Sequence, residues 1–174
     1  MGVIHGPDRR SRIATGEVKG GGAMENKTTF FLIDEQAIFR DCVRFMLEKE
    51  KNLVWVGEAG NGKEAVSKVK GCRPDVVLME LSLPKPNGSS VIQEIKSLSP
   101  LTKVIVLSSD DSDENVLAAF RGGASAYCLK NSSFSEVLQA LSQVTAGRSY
   151  LSPEIAGKVL EVYLGSNKHL KSQS

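Results

Sequence analysis

From residue 28 onward, two textures of apolar residues alternate along the chain. TFFLID (29–34), LVWVGEA (53–59), DVVLME (75–80), KVIVLSS (103–109) and ASAYCLK (124–130) are short continuous apolar runs. Such runs predict strands buried on both faces. Between them the apolar positions fall at helical spacing. They are Phe39, Cys42, Val43, Met46 and Leu47 within 36–49; Ala65, Val66 and Val69 within 62–72; Val91, Ile92, Ile95 and Leu98; Val116, Leu117 and Phe120; and Val137, Leu138, Leu141 and Val144. Breakers separate the two textures at Gly60-Asn61-Gly62, Pro74, Pro100, Gly122-Gly123 and Gly147. Asn61-Gly62 and Asn87-Gly88 read as turn chemistry. Ser133, with Glu136 three residues on, is a capping-box signature for the fifth helix. A sixth helix is predicted over 149–165, with Ser152 as N-cap, Pro153 at the first helical position, and Ile155, Val159, Leu160 and Val162 on its apolar face.

Strict alternation of continuous apolar strands with helices predicts an α/β protein whose parallel sheet is covered on both faces. Right-handed crossovers make it a doubly wound (βα)5 sandwich, and five strands fit the flavodoxin-like order 2-1-3-4-5, with a C-terminal linker helix added. The chain then divides into a disordered leader over 1–27, a body over 28–150, and a linker helix with its tail over 151–174. The leader, rich in Gly and Arg with GGG at 20–22 and no periodicity, reads as an expression remnant or a floppy extension.

Charge supports this division. The 22 basic and 20 acidic residues leave a formal +2. Arg9, Arg10, Arg12 and Lys19 against Asp8 and Glu17 place that whole excess in the first 24 residues. A neutral body argues against general binding to nucleic acid or acidic membranes. No apolar run approaches the roughly 18–20 residues that span a bilayer, and the N-terminus has no apolar signal region. Cys42, Cys72 and Cys128 are odd in number and lack a CxxC spacing, which predicts reduced, mostly buried thiols in a cytoplasmic protein. His5 and His169 are the only histidines, so histidine-based catalysis has little to work with.

In a doubly wound sheet the functional crevice lies beyond the carboxyl ends of the strands. Strand 1 delivers Asp34 and Glu35 there, strand 3 Glu80, strand 4 Ser108 and Ser109, and strand 5 Lys130, with Tyr127 three residues earlier. Strand 2, ending in Gly57, Glu58 and Ala59, contributes little. Like charges at such spacing repel by about 1–4 kcal/mol per pair. A hard divalent cation such as Mg²⁺ offsets this through oxygen ligands, and a lysine with a hydroxyl suits phosphoryl oxygens.

LIDEQAIFRDCV, VGEAGNGKEAV, PDVVLMELSLPKPNG, KVIVLSS, GASAYCLK and GRSYLSPEIAGKVL, in this order and at these spacings, resemble a two-component response-regulator receiver domain. The likeness is greatest to the receivers of LuxR/NarL-type transcription regulators. It covers about 28–150 and implies a CheY-like, non-enzymatic signalling module. By the resemblance, Asp34 and Glu35 are the acidic pair that holds Mg²⁺, and the backbone carbonyl of Ser82 is a further ligand. Ser108 follows the phosphoryl group, Lys130 contacts it, and Tyr127, a half-buried strand residue, reports the switch. The acceptor position, aspartate in the family, is Glu80 here, which would also face the metal. One added methylene pushes the carboxylate into the phosphoryl group's place, and a misplacement of about 1 Å can cost roughly 10²-fold in rate. Phosphorylation is therefore expected to be impaired, or to be imitated by Glu80 meeting Lys130 or Ser108. The change reads equally as a natural pseudo-receiver or as an engineered mimic.

The resemblance further implies a sensor histidine kinase as partner, unless that partnership is lost, and a homodimer through the first and fifth helices. DNA would be reached only through an output domain. Only nine residues follow Gly165, against the roughly 60 that such a domain needs, so that domain is expected to lie outside this chain. Two rivals stand beside this reading. One is a stand-alone receiver still phosphorylated on Glu80. The other is a flavodoxin-fold nucleotide or flavin binder, which would need a Gly-rich loop where Asp34-Glu35-Gln36-Ala37 stands.

Overall fold

A computed structural model of the chain describes residues 27–171. The predicted leader, apart from Lys27, lies outside the described residues. The order is β1 (Thr28–Ile33), α1 (Ala37–Leu47), β2 (Leu53–Ala59), α2 (Gly62–Cys72), β3 (Val76–Met79), α3 (Gly88–Leu98), β4 (Lys103–Ser108), α4 (Asp113–Gly122), β5 (Ala126–Leu129), α5 (Phe134–Thr145), β6 (Tyr150–Leu151) and α6 (Pro153–Lys171). All strand pairs are parallel, in the order β2-β1-β3-β4-β5-β6. This is the predicted doubly wound, flavodoxin-like order, extended by one strand.

Residues of the central strands alternate between two apolar layers. Phe30, Leu32, Val76, Leu78, Ile105 and Cys128 face α1 and α5 through Val43, Leu47, Val137 and Leu141. Phe31, Ile33, Val77, Met79, Val106 and Tyr127 face α2, α3 and α4 through Val69, Ile92, Ile95 and Val116. Both faces being covered explains why β3 and β5 are buried at every position.

The strand β6 was not predicted. Tyr150 and Leu151 were counted in the 149–165 helical segment, ahead of its Ser152 cap, but they pair with Ala126 and Tyr127 and extend the sheet. A two-residue strand carries no period, so no pattern announces it. Helix α6 begins after it at Pro153 and reaches past the predicted end at 165. Ser152 takes the N-cap position, since its carbonyl accepts from Ala156 N–H. Its hydroxyl, however, is buried without a hydrogen-bond partner and does not cap. Asn61 and Asn87, read as turn residues, are N-caps that accept from Glu64 N–H and Ser90 N–H. The Ser133–Glu136 capping box is formed as predicted.

The cysteines depart from expectation. All three are free thiols, but Cys42 and Cys72 are exposed and only Cys128 is buried. The helical stripe counted Cys42 as core, whereas Val43 and Leu47 point inward and Cys42 outward. Trp55 packs at the edge of the α1/α5 layer, with the Arg44 guanidinium 3.6 Å above its ring.

Gly88 opens α3 where the loop after β3 folds back, and its N–H donates to the Leu81 carbonyl at 3.1 Å. A Cβ there would run into the Leu81 backbone, which cannot swing aside. Gly71, near the end of α2, has open space around it. Thermal melts are expected to separate the two. Gly71→Ala should stabilise by up to about 1 kcal/mol through helix propensity, and Gly88→Ala should lower the melting temperature.

Candidate acidic switch pocket

The carboxyl ends of β1, β3, β4 and β5 adjoin in the sheet, so the residues that follow them meet at one edge. The ladder runs one residue beyond the strands. Glu80 N–H donates to the Ile33 carbonyl at 2.8 Å, Lys130 N–H to the Ser108 carbonyl at 2.9 Å, and Asp34 N–H to the Ala59 carbonyl at 3.2 Å. The sheet thus fixes the backbones of Asp34, Glu80 and Lys130 side by side.

Their side chains close on one another. Lys130 Nζ lies 2.6 Å from Asp34 Oδ2 and 3.0 Å from Glu80 Oε2. Asp34 and Glu80 are almost wholly buried, at 3% and 6% exposed. Buried ions need every lone pair answered. Glu80 Oε1 accepts from Ser82 N–H at 2.9 Å and from the Ser108 hydroxyl at 2.5 Å. Asp34 Oδ1 accepts from Gln36 N–H at 2.8 Å. Asp34 Oδ2 accepts no hydrogen bond and has the Lys130 charge alone. The Phe39 ring lies 4.3 Å from the Lys130 ammonium and shields it.

Protonation follows from this geometry. Burial pushes the Glu80 carboxyl upward, but the Ser108 hydroxyl, Ser82 N–H and Lys130 together bring it below its ordinary value. Burial works to lower the Lys130 ammonium, yet Asp34 and Glu80 raise it above its ordinary value. Both groups are charged at neutral pH.

Ser108 is wholly buried and links outward as well. Its Oγ accepts from Asp110 N–H at 3.2 Å. The Asp110 carbonyl accepts from the Tyr127 hydroxyl at 2.5 Å. Tyr127, expected half-buried, has no exposed surface. Burial pushes its phenol up to about 12, so it stays a donor. Ser108, Asp110 and Tyr127 therefore form one hydrogen-bonded chain from Glu80 to the Tyr127 hydroxyl on β5.

Of the residues singled out from the sequence, Asp34, Glu80, Ser108 and Lys130 meet directly, and Tyr127 joins through Asp110. Ser82 contributes its N–H. Glu35 is exposed and stands outside the cluster, and no three His, Cys, Asp or Glu side chains among the described residues gather as a metal group. For a hard cation the donor chemistry fits, because buried Asp34 Oδ2 is an oxygen with no hydrogen bond of its own. A bound cation would share Asp34 and Glu80 with Lys130.

Sequence reasoning missed Arg40 and dismissed Glu58. Arg40 donates to the Asp34 carbonyl at 2.5 Å and pairs with Glu58 Oε1 at 3.1 Å. Strand 2 therefore supports the pocket from behind, through α1. A basic residue one turn into the helix that follows an acidic strand end was the available signal.

The fold and the pocket together define a doubly wound module with a buried acidic pocket, closed by one lysine, at the carboxyl edge of its sheet. The response regulator receiver domain family matches residues 30–142, and the chain belongs to it. Among similar proteins, the transcriptional regulatory protein DegU of Brevibacillus brevis is 32% identical over 139 residues, which is 80% of this chain and 59% of that protein. The nitrate/nitrite response regulator NarL of Escherichia coli K12 is 30% identical over 144 residues, 83% of this chain and 66% of that one. The chain thus spans 59–66% of the length of the first relatives it matches. A LuxR-family two-component response regulator from Aurantimonas sp. superposes with a TM-score of 0.76 at 30% identity, covering 79% of this chain and 99% of that one. This is a receiver domain of a two-component response regulator of the LuxR/NarL type, a regulatory rather than a metabolic unit. No helix among the described residues is long and apolar enough to cross a membrane.

The pocket has a pH signature. A folded carboxyl held below its ordinary 4.5 contributes stability that is present above that value and lost as pH falls through the lower folded value. Lys130, held above its ordinary 10.5, contributes stability that is present below that value and lost as pH rises through the raised one. Denaturant midpoints of the parent chain should therefore fall at both extremes, and Glu80→Gln should flatten the acid limb. An unchanged acid limb in Glu80→Gln would show that Glu80 carries no such linkage.

Proposed function

We propose that this receiver is held in its switched arrangement by Glu80 instead of by a phosphoryl group. The observation that carries the reading is the set of partners on one carboxylate. Glu80 meets the Ser108 hydroxyl, the Ser82 N–H and the Lys130 ammonium at once. By the receiver pattern, Ser108 and Lys130 are groups that a phosphoryl oxygen would engage. The added methylene lets the carboxylate reach them without modification. With Ser108 drawn toward Glu80, Tyr127 lies fully inward and bonded to Asp110, which supports the same reading.

Acyl-phosphate formation at Glu80 is impaired, because both of its oxygens are already engaged. Mg²⁺ would be held through Asp34, Glu80 and the Ser82 carbonyl, with the exposed Glu35 joining only on turning inward, and more weakly than where an aspartate stands at the acceptor. There it would supply charge neutralisation among the carboxylates. The module answers to a sensor histidine kinase only in so far as Glu80 can still be modified. Its output is transcription regulation through a DNA-binding domain, and its setting is the cytoplasm. Self-association runs through α1 and α5, since Ile38 and Phe45 on α1 stand 72% and 66% exposed with exposed Cys42 between them.

Intact mass after incubation with a small phosphodonor and Mg²⁺ tests the acceptor claim. The parent chain should gain no stoichiometric phosphate, and Glu80→Asp should gain one. A full equivalent on Glu80 would overturn the proposal in favour of an ordinary phosphorylatable receiver. In sedimentation, Phe45→Glu should lower the average mass at high concentration. A parent chain that stays monomeric at every concentration would reject the α1/α5 dimer.

A further inference from the structure

Arg40 stands between two carboxylates, one in the pocket and one behind it. Its Nη1 donates to the Asp34 carbonyl at 2.5 Å, and its Nε donates to Glu58 Oε1 at 3.1 Å. Each carboxylate has one buried oxygen that accepts no hydrogen bond, Asp34 Oδ2 and Glu58 Oε2. The Arg40 side chain is 14% exposed and that of Glu58 27%, so solvent screens their attraction less than that of a surface pair. Glu58 is itself fixed on the far side. Its carbonyl accepts from Lys68 Nζ at 2.9 Å, and the β1–β2 ladder pairs it with Leu32.

Asp34, Phe39, Arg40 and Glu80 also line one small cavity between the strand ends and α1. Arg40 therefore borders the acidic pocket while its head group is tied outside it. That tie has a chemical cost if lost. A guanidinium fork prefers a carboxylate to a carbonyl, because two charge-assisted bonds can form in parallel. With Glu58 neutralised, the carboxylate at hand is that of Asp34, whose own carbonyl Arg40 already touches. In the pocket two carboxylates face one ammonium, which leaves one unit of negative charge to attract a cation. An inward Arg40 would cancel that charge and occupy Asp34 Oδ2, the oxygen that suits a hard cation.

We infer that Glu58 is a positioning residue for the cation site: it anchors Arg40 outside the pocket and so keeps the Asp34 carboxylate open to a divalent cation. Arg40, so anchored, clamps the Asp34 backbone and leaves its carboxylate alone. Glu58 acts through Arg40 and is not itself a ligand. The inference rests on the reading that the pocket takes Mg²⁺, and it adds a part for β2 in that binding.

Titration of the full chain with Mn²⁺ tests it. Mn²⁺ takes the same oxygen ligands as Mg²⁺, and electron paramagnetic resonance counts the ion left free. Glu58→Gln keeps the shape and removes the charge. It should weaken Mn²⁺ binding by about tenfold or more, as when a group behind a metal ligand is lost. Arg40→Met keeps the apolar stem and removes the fork, and in that background Glu58→Gln should change the affinity by less than about twofold. Arg40→Gln is a second such background, should Arg40→Met fail to fold. If Glu58→Gln lowers the unfolding midpoint but binds Mn²⁺ like the parent, Glu58 is structural only and the inference is overturned while the cation reading stands. An equal loss with and without Arg40 overturns it in the same way. Asp34→Asn should abolish binding. If it binds like the parent, or if the parent leaves all Mn²⁺ free, the cation reading falls and the inference with it.

Discussion

Two carboxylates share one ammonium at the carboxyl edge of the sheet, and each of the three is nearly buried. Alone, Asp34 and Glu80 would repel each other in a poorly solvated place. Lys130 removes that conflict, and it can do so because β1, β3 and β5 end at the same level. The parallel ladder sets that level: Ile33 pairs with Met79, and Ser108 with Leu129. The site is thus a consequence of strand register, and register is a consequence of two fully covered sheet faces.

From this centre the switch follows by hydrogen bonding. Glu80 spends one oxygen on Lys130 and the other on Ser108 and Ser82. Ser108 then has its oxygen available to Asp110 N–H, and Asp110 presents its carbonyl to Tyr127. Each step places the next, and the last places a large aromatic ring inside the layer that also seats α6. Behind the site, Arg40 and Glu58 hold the Asp34 backbone in position.

Much of this was legible in the sequence because it depends on period and position. Continuous apolar runs in TFFLID and DVVLME give buried parallel strands, and their last letters are the pocket acids. Lys130 and Ser108 were readable for the same reason. What escaped depends on individual packing. Cys42 sits on the apolar stripe by spacing but faces solvent, because Val43 and Leu47 suffice to fill the α1 seam. Tyr150 and Leu151 became a strand through pairing with β5, which no local pattern encodes. Arg40 serves the site through a carbonyl, and only its place one turn into the helix after an acidic strand end pointed to it. Glu35 was placed by adjacency to Asp34, yet the chain turns outward there and exposes it.

The central claim is that Glu80 and Ser108 act on each other as a phosphoryl group and its hydroxyl partner would. A double-mutant cycle of Glu80→Gln and Ser108→Ala, read by denaturant unfolding, measures that interaction directly. A hydrogen bond to a buried charge should appear as a coupling of about 1.5–3 kcal/mol. Effects that add to within about 0.5 kcal/mol would mean that the two side chains are independent, and the account of Glu80 as the holder of the switch would be contradicted.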